Sequence, residues 1–239
     1  LRWALGFGSA DDDEAKAVAV DATGNVYVAG AIRGDVDLGG GVLGGTTNGT
    51  IFLASFAGDG THRWSRSFAA DYGQGNGLAI RGQALYLVGG FNGAIDFGGG
   101  PLTNDAGADI FLARFASTDG AHVWSKNWGG GYNNGSYGHA VAVDAAGQVY
   151  ITGMGYGVFD IGGGSDETYY RDIFVLSSDE NGAYRWHTHF QRWNSYNIAR
   201  GLAVGDHIVI TGQIPSTMYF DGHRLPGWAD DVFVLGLAR

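Results

Sequence analysis

No cysteine occurs in the 239 residues, which excludes disulfides, zinc–thiolate centres and thiol nucleophiles. The absence does not decide the compartment, because a chain of this size needs no covalent staples. Proline is scarce, 3 residues against 44 glycines. Glycine at that level without a G-X-Y period excludes collagen and points to many tight turns between short strands. Basic residues are in deficit, 14 Lys and Arg against 24 Asp and Glu, for a net charge of −10. That balance disfavours nucleic acid and anionic membrane surfaces, both of which need a basic face. No apolar run approaches the roughly 18 residues of a spanning helix. The chain opens Leu1-Arg2-Trp3, with neither Met nor a signal-peptide h-region, so a mature or trimmed segment is expected.

What is present is a repeat. Residues 17–68 read AVAVDATGNVYVAG, GDVDLGGG and IFLASFAGDGTHRWSRSF. Residues 77–128 read GLAIRGQALYLVGG, GAIDFGGG and IFLARFASTDGAHVWSKNW. Residues 140–190 give AVAVDAAGQVYITG, GVFDIGGG and IFVLSSDENGAYRWHTHF. The fourth copy gives GLAVGDHIVITG, a divergent STMYFDG and VFVLGLAR. Each unit therefore holds three apolar runs and a fourth opening on Trp, rich in Val, Ile, Phe and Tyr and bounded by Gly, Asp and Asn. These are strand signals. The runs are nearly continuous, so both faces of each sheet are expected to be buried.

Four-stranded sheets stacked face to face around an axis meet that demand. The prediction is an all-β, four-bladed β-propeller with four-stranded antiparallel blades, forming one domain over residues 1–239. Its repeats cover approximately 9–68, 69–128, 129–190 and 191–239 plus 1–8. Ala19, Ala79, Ala142 and Ala203 mark a crowded first strand, while Trp3, Trp64, Trp124 and Trp186, spaced 61, 60 and 62, mark the fourth. The last copy lacks its Trp strand and residues 1–8 form one with no repeat before it. The N-terminal strand is therefore expected to pair with Val232–Leu237, complete the last blade and close the ring.

The pattern AVD-x-x-GNVYVAG, VDLGGG, IFLASF-x-x-DG-x-x-x-W resembles the SBBP-type β-propeller repeat of large bacterial secreted and surface proteins. The resemblance covers essentially the whole chain in four copies. It departs where Tyr219 stands in place of Asp37, Asp96 and Asp160, and where Thr50 replaces Asp109, Asp172 and Asp231. It implies a propeller in an extracellular or cell-envelope setting and transfers no catalytic motif.

Residues found once per repeat are expected to build it. Asp21 and Asp144 sit at a first turn, where a carboxylate bonds nearby backbone N–H groups. Asp37, Asp96 and Asp160 precede Gly-rich turns and recur with Asp109, Asp172 and Asp231. They are read as loop staples, with a hard cation such as calcium as the alternative, although no D-x-[DN]-x-[DN]-G loop is present. The GGG clusters and G-x-G-x-G at 73–77 open no helix and are read as turn punctuation. His187 and His189 share a strand face but lack an evident third ligand, so no cofactor or metal is expected. The acidic run Asp11-Asp12-Asp13-Glu14 is read as a solvated loop, with a cation or basic partner as the other reading. With no G-x-S-x-G and no H-E-x-x-H, catalysis is not expected.

Singular residues remain for function. Loops from the fourth strand to the next blade, and from the second strand to the third, share one face of a propeller and are long here. They carry Tyr72, Tyr132, Tyr137, Tyr156, Tyr169, Tyr170, Trp193, Tyr196 and Trp228 among Asn, Ser and Gly. Rigid rings among small polar residues make recognition surfaces. The reading is a non-enzymatic module that binds a protein partner or assembles with its own copies. Two alternatives stay open: a lectin stacking sugars on those rings, and a hydrolase with carboxylates converging near the axis.

Overall fold

The computed structural model describes residues 1–104, 107–129, 135–190, 197–220 and 223–238; within strands, the side chains of 158–159, 165–170 and 228–230 fall outside that description. Among the described residues the regular structure is β-strand, in three four-stranded sheets, one three-stranded sheet and two ribbons, with antiparallel pairing throughout the first, third and fourth sheets and both ribbons.

The first sheet comprises β1 (Glu14–Val20), β2 (Val26–Ile32), β5 (Thr50–Phe56) and β6 (His62–Phe68), in that order, with the ribbon β3 (Val36–Asp37) and β4 (Val42–Leu43) between β2 and β5. The second sheet repeats the plan with β7 (Tyr72–Arg81), β8 (Ala84–Asn92), β11 (Asp109–Ala116) and β12 (His122–Trp128), and the ribbon β9 (Ala94–Asp96) and β10 (Pro101–Thr103). The third is β13 (Tyr137–Val143), β14 (Val149–Asp160), β15 (Ser165–Ser178) and β16 (Tyr184–Phe190). The fourth is β17 (Ile198–Val204), β18 (Ile208–Phe220) and β19 (His223–Leu237). All four repeats read from the sequence thus appear as sheets, with Trp64, Trp124 and Trp186 on the fourth strands as expected.

The chain divides into two compact units, Leu1–Asn104 with Phe111–Asn127, and Asp105–Ile110 with Trp128–Arg239. Each unit pairs two sheets by the same rule. In the first, Tyr27, Ile51, Leu53, Trp64 and Phe68 of the first sheet share a core with Leu85, Leu87, Phe91, Phe111 and Phe115 of the second. In the second, the same repeat positions meet: Tyr150, Ile173, Val175, Trp186 and Phe190 share a core with Ile208, Ile210, Ile214 and Phe233. We call these the front face of the preceding sheet and the back face of the following one. In β5, β8 and β11 burial on both sides explains the continuous apolar runs, whereas β18 alternates buried and exposed residues, against the expectation that both faces of each sheet are buried. Trp64 also donates its indole N–H to the carbonyl of Ser117, in the second sheet's outer turn, at 3.1 Å.

Each first strand shifts register at the same place, at Ala15/Ala17, Gly75/Gly77, Gly138/Ala140 and Ala199/Gly201. The bulge pushes the carbonyl of Glu14, Gln74, Tyr137 or Ile198 onto Gly30, Gly89, Gly153 or Gly212, where a Cβ would collide with it. That contact accounts for the glycine closing each VYVAG-like run.

One expectation is corrected. Residues 1–8 form no strand, and the fourth sheet has three strands, ending on β19. The predicted strand pairing of residues 1–8 with Val232–Leu237 is therefore not formed. The segment is instead held by side chains on the first sheet. Trp3 donates its indole N–H to the Gly58 carbonyl at 3.0 Å, and Phe7 stacks on Phe56 at 5.7 Å. Ring contacts of this kind anchor the segment without ladder hydrogen bonds.

Candidate functional site

The recurrent carboxylates are committed to turns. Asp21 accepts from the backbone N–H of Thr23 and Asn25, both at 2.9 Å, from the Thr23 hydroxyl at 2.7 Å, from the Asn25 amide at 2.8 Å and from the Tyr27 hydroxyl at 3.0 Å. Burial alone would raise its pKa, but these five donors outweigh it and hold the carboxyl well below the usual range. Asp144 does the same in the third sheet, accepting from Ala146, Gln148 and the Tyr150 hydroxyl at 2.8, 2.9 and 3.1 Å.

Asp37, Asp96 and Asp160 each cap a triple-glycine turn. Asp96 accepts from the N–H groups of Gly98 and Gly100 at 2.7 and 3.1 Å, and Asp37 from Gly39 and Gly41 at 2.7 and 3.0 Å. Asp160 binds Gly162 and Gly164 in the same way. In Asp37 those N–H donors lower the pKa. The outer two glycines of each turn have positive φ, as at Gly98 and Gly100 with φ 113° and 101°. The middle one is small for another reason: the ring of His62, His122 or Tyr184 lies over Gly40, Gly99 or Gly163 where a Cβ would stand. His122 then bonds Ser125 at 3.1 Å, and burial lowers its pKa against the pull of Asp96. Among the described residues no three His, Asp or Glu side chains gather as a metal-ligand group. His187 and His189 stack at 6.5 Å, and His187 Nδ1 meets the Tyr184 hydroxyl at 3.0 Å.

In the acidic run, Asp13 is a loop tie. It accepts from the backbone N–H of Arg33 at 2.9 Å and from that of Ser9; burial opposes these bonds, yet its pKa falls. Glu14 pairs with Lys16 at 3.2 Å.

The singular aromatics are placed unevenly. Tyr72 opens β7 and is half-buried. Tyr137 opens β13, half-buried and stacked on His139 at 6.4 Å; burial raises its phenol pKa while the Arg171 charge lowers it. Tyr156 lies on the neighbouring β14, half-buried, its backbone N–H donating to Ser136 Oγ at 3.1 Å. Register pairs Tyr137 with Met154, so Tyr137 and Tyr156 occupy the same end of the third sheet. Tyr132, Trp193 and Tyr196 lie outside the described residues. Tyr169, Tyr170 and Trp228 lie in β15 and β19, their side chains outside the description.

The second-to-third connections, expected as long loops, contain β-structure among the described residues, which corrects the sequence reading. The second-to-third connections are the ribbons β3–β4 and β9–β10, and in the later sheets they are continuations of β14–β15 and β18–β19. The reason is an alternation of period two: Val36 and Leu38, Ile95 and Phe97, and Met218 and Phe220 are buried, each pair flanking the exposed residue Asp37, Asp96 or Tyr219.

Two concavities of the first unit were not anticipated. A cavity of about 340 Å³ lies between Trp3, Leu5 and Phe7 and the back face of the first sheet, at Val28, Ile32, Phe52 and Phe56. A polar crevice of about 520 Å³ lies among Asp21, Asn25, Tyr27, Arg63, Gln83 and Ser117, at the short-turn end. There Arg63 donates to Ser55 Oγ at 2.7 Å and to the Tyr27 hydroxyl at 3.2 Å.

No protein-family profile and no curated protein matches the chain. Similar solved structures include the quinohemoprotein alcohol dehydrogenase ADHIIG of Pseudomonas putida HK5, at TM-score 0.45 and 12% identity over 96% of this chain and 43% of that one. The chain thus spans less than half the length of that enzyme. BamB of Moraxella catarrhalis is similar at TM-score 0.26 and 14% identity, over 89% of this chain and 88% of that one. At these scores neither likeness bears on what this chain does.

Proposed function

We propose that the four sheets are blades of a β-propeller and that the chain is a non-enzymatic interaction module, binding a protein partner or copies of itself. The SBBP-like repeat supports an extracellular or cell-envelope setting as part of the same reading. One observation carries it: the recurrent polar side chains that could serve chemistry are tied into turns, as Asp21 and Asp96 are by their backbone donors. What is left for recognition is the set of singular rings, of which Tyr72, Tyr137 and Tyr156 remain half-exposed at the ribbon ends of their sheets. Rings held by strands lose little entropy when a partner covers them.

The test is capture of envelope-extract proteins by the immobilised chain, compared with Tyr72→Ser and Tyr137→Ser/Tyr156→Ser variants. The expectation is a discrete partner retained by the native chain and lost from a variant whose circular dichroism is unchanged. Capture unaffected by all three substitutions removes the ring surface from the reading. A glycan-array signal competed by free sugar would replace it with the lectin alternative.

A further inference from the structure

The polar crevice of about 520 Å³ is built wholly from the first unit, between the short turns of its two sheets. The turn from β1 to β2 supplies Thr23 and Asn25, β6 supplies Arg63, and the second sheet supplies Gln83 and Thr118. Its volume falls within the roughly 300–1,000 Å³ of small-molecule sites.

Arg63 is the cation of this crevice and is half-buried. Its Nη1 donates to Ser55 Oγ at 2.7 Å and to the Tyr27 hydroxyl at 3.2 Å, and the guanidinium lies 5.9 Å from the Tyr27 ring centroid. That clamp fixes the plane of the fork. Nε and Nη2 are left without a protein acceptor, and among the described residues no carboxylate pairs with Arg63. Asp21 lines the same crevice but does not fill that role, because its carboxylate is spent on five donors and the Tyr27 hydroxyl stands between it and Arg63. In a chain with 24 acidic and 14 basic residues, this guanidinium keeps a free edge of the geometry that takes a carboxylate two-handed. The repeat does not demand the arrangement. The second sheet covers its Tyr86 with Arg114, from the position of Ser55, and has Val123 at the position of Arg63.

The other walls select what flanks the anion. Asn25 spends Nδ2 on Asp21 Oδ2 at 2.8 Å and on Thr23 Oγ1 at 2.9 Å, which leaves Oδ1 as an acceptor without a protein donor. The exposed Gln83 carboxamide adds both donors and an acceptor at the rim. Such a mixture suits hydroxyl groups, which give and take a hydrogen bond at once. We infer that the crevice binds a small hydroxylated carboxylate of the hydroxy-acid or sugar-acid class. Its carboxylate sits on the Nε–Nη2 edge of Arg63 and its hydroxyls on Asn25 and Gln83. The site lies at the other end of the sheets from Tyr72 and stands independently of the ring surface.

Titration of the full chain with glucuronate, glucose and acetate at fixed ionic strength tests this, read by calorimetry and by the Arg63 Nε–H signal in NMR. Glucuronate is expected to bind saturably and to shift that signal. Glucose lacks the carboxylate and acetate lacks the hydroxyls, so each is expected to bind weaker by about tenfold or more. Arg63→Met is expected to weaken glucuronate by a similar factor, and Arg63→Lys, which keeps the charge but loses the fork, to fall with it. Gln83→Ala changes an exposed side chain and is expected to weaken glucuronate severalfold with circular dichroism unchanged, so it carries the test even where an Arg63 variant fails to fold. No saturable shift with glucuronate overturns the inference. Glucose or acetate binding as well as glucuronate does, or affinity unchanged in folded Arg63→Met or in Gln83→Ala, overturns it equally.

Discussion

Phe7 stacks on Phe56 with ring centroids 5.7 Å apart and planes 18° from parallel. Phe68 meets Phe115 at 5.4 Å and 30°, at corresponding positions one repeat on. A segment without backbone pairing thus keeps the side-chain contacts of an outer strand. It does so because ring stacking and one indole hydrogen bond are local to the surface beneath.

The N-terminal anchor gives a graded prediction. Phe7→Ala leaves part of the 340 Å³ cavity open to water but removes a ring that is itself half-exposed. The expected loss is about 1 kcal/mol, below the 3–5 kcal/mol or so of a buried Phe or Trp truncation. Trp64→Ala, at a buried ring, is expected to cost that larger amount. Chemical denaturation of both variants checks the order, and equal losses would contradict it.

The triple-glycine turn makes a coupled pair of Gly99 and His122. A Cβ at Gly99 collides with the imidazole, while one at Gly100 meets nothing within 4 Å and suffers only its φ of 101°. Gly99→Ala is expected to destabilise by about 1–3 kcal/mol through overpacking. In Gly99→Ala/His122→Ala the clash is gone, so the double variant should be more stable than the sum of the single losses. Gly100→Ala should show no such coupling to His122→Ala. A double-mutant cycle measures both.

Acid stability should report on Asp21. Its carboxyl titrates lower in the folded chain than the ordinary value of 3.8, because the five donors favour the charged form. A group with its folded pKa depressed contributes its full stabilisation above the unfolded value and loses it as pH falls toward the folded one. Asp21→Ala should therefore lower stability at neutral pH and flatten the fall in stability below about pH 4. An unchanged acid limb in urea titrations would show that Asp21 is not part of that transition.

The repeat length, the four strands of the first three sheets and the Trp register were legible in the sequence because each repeat must bury the same positions, whereas the fourth strand of the last sheet was expected and is not formed by residues 1–8. The Asp caps were legible too, since a carboxylate two residues before a glycine finds its donors within its own turn. The ribbons were hidden in plain alternation: V-D-L and I-D-F have a period of two, but Gly clusters on either side made them look like loops. The bulge glycines could not be read as such, because the carbonyl that excludes a Cβ at Gly30 comes from Glu14, sixteen residues earlier.

The sequence by itself determined four sheets and which residues line their faces, since hydrophobic patterning is a local property repeated four times. Only the tertiary structure decided where residues 1–8 go. That outcome depends on contacts between distant segments: an indole on the Gly58 carbonyl and a ring on Phe56.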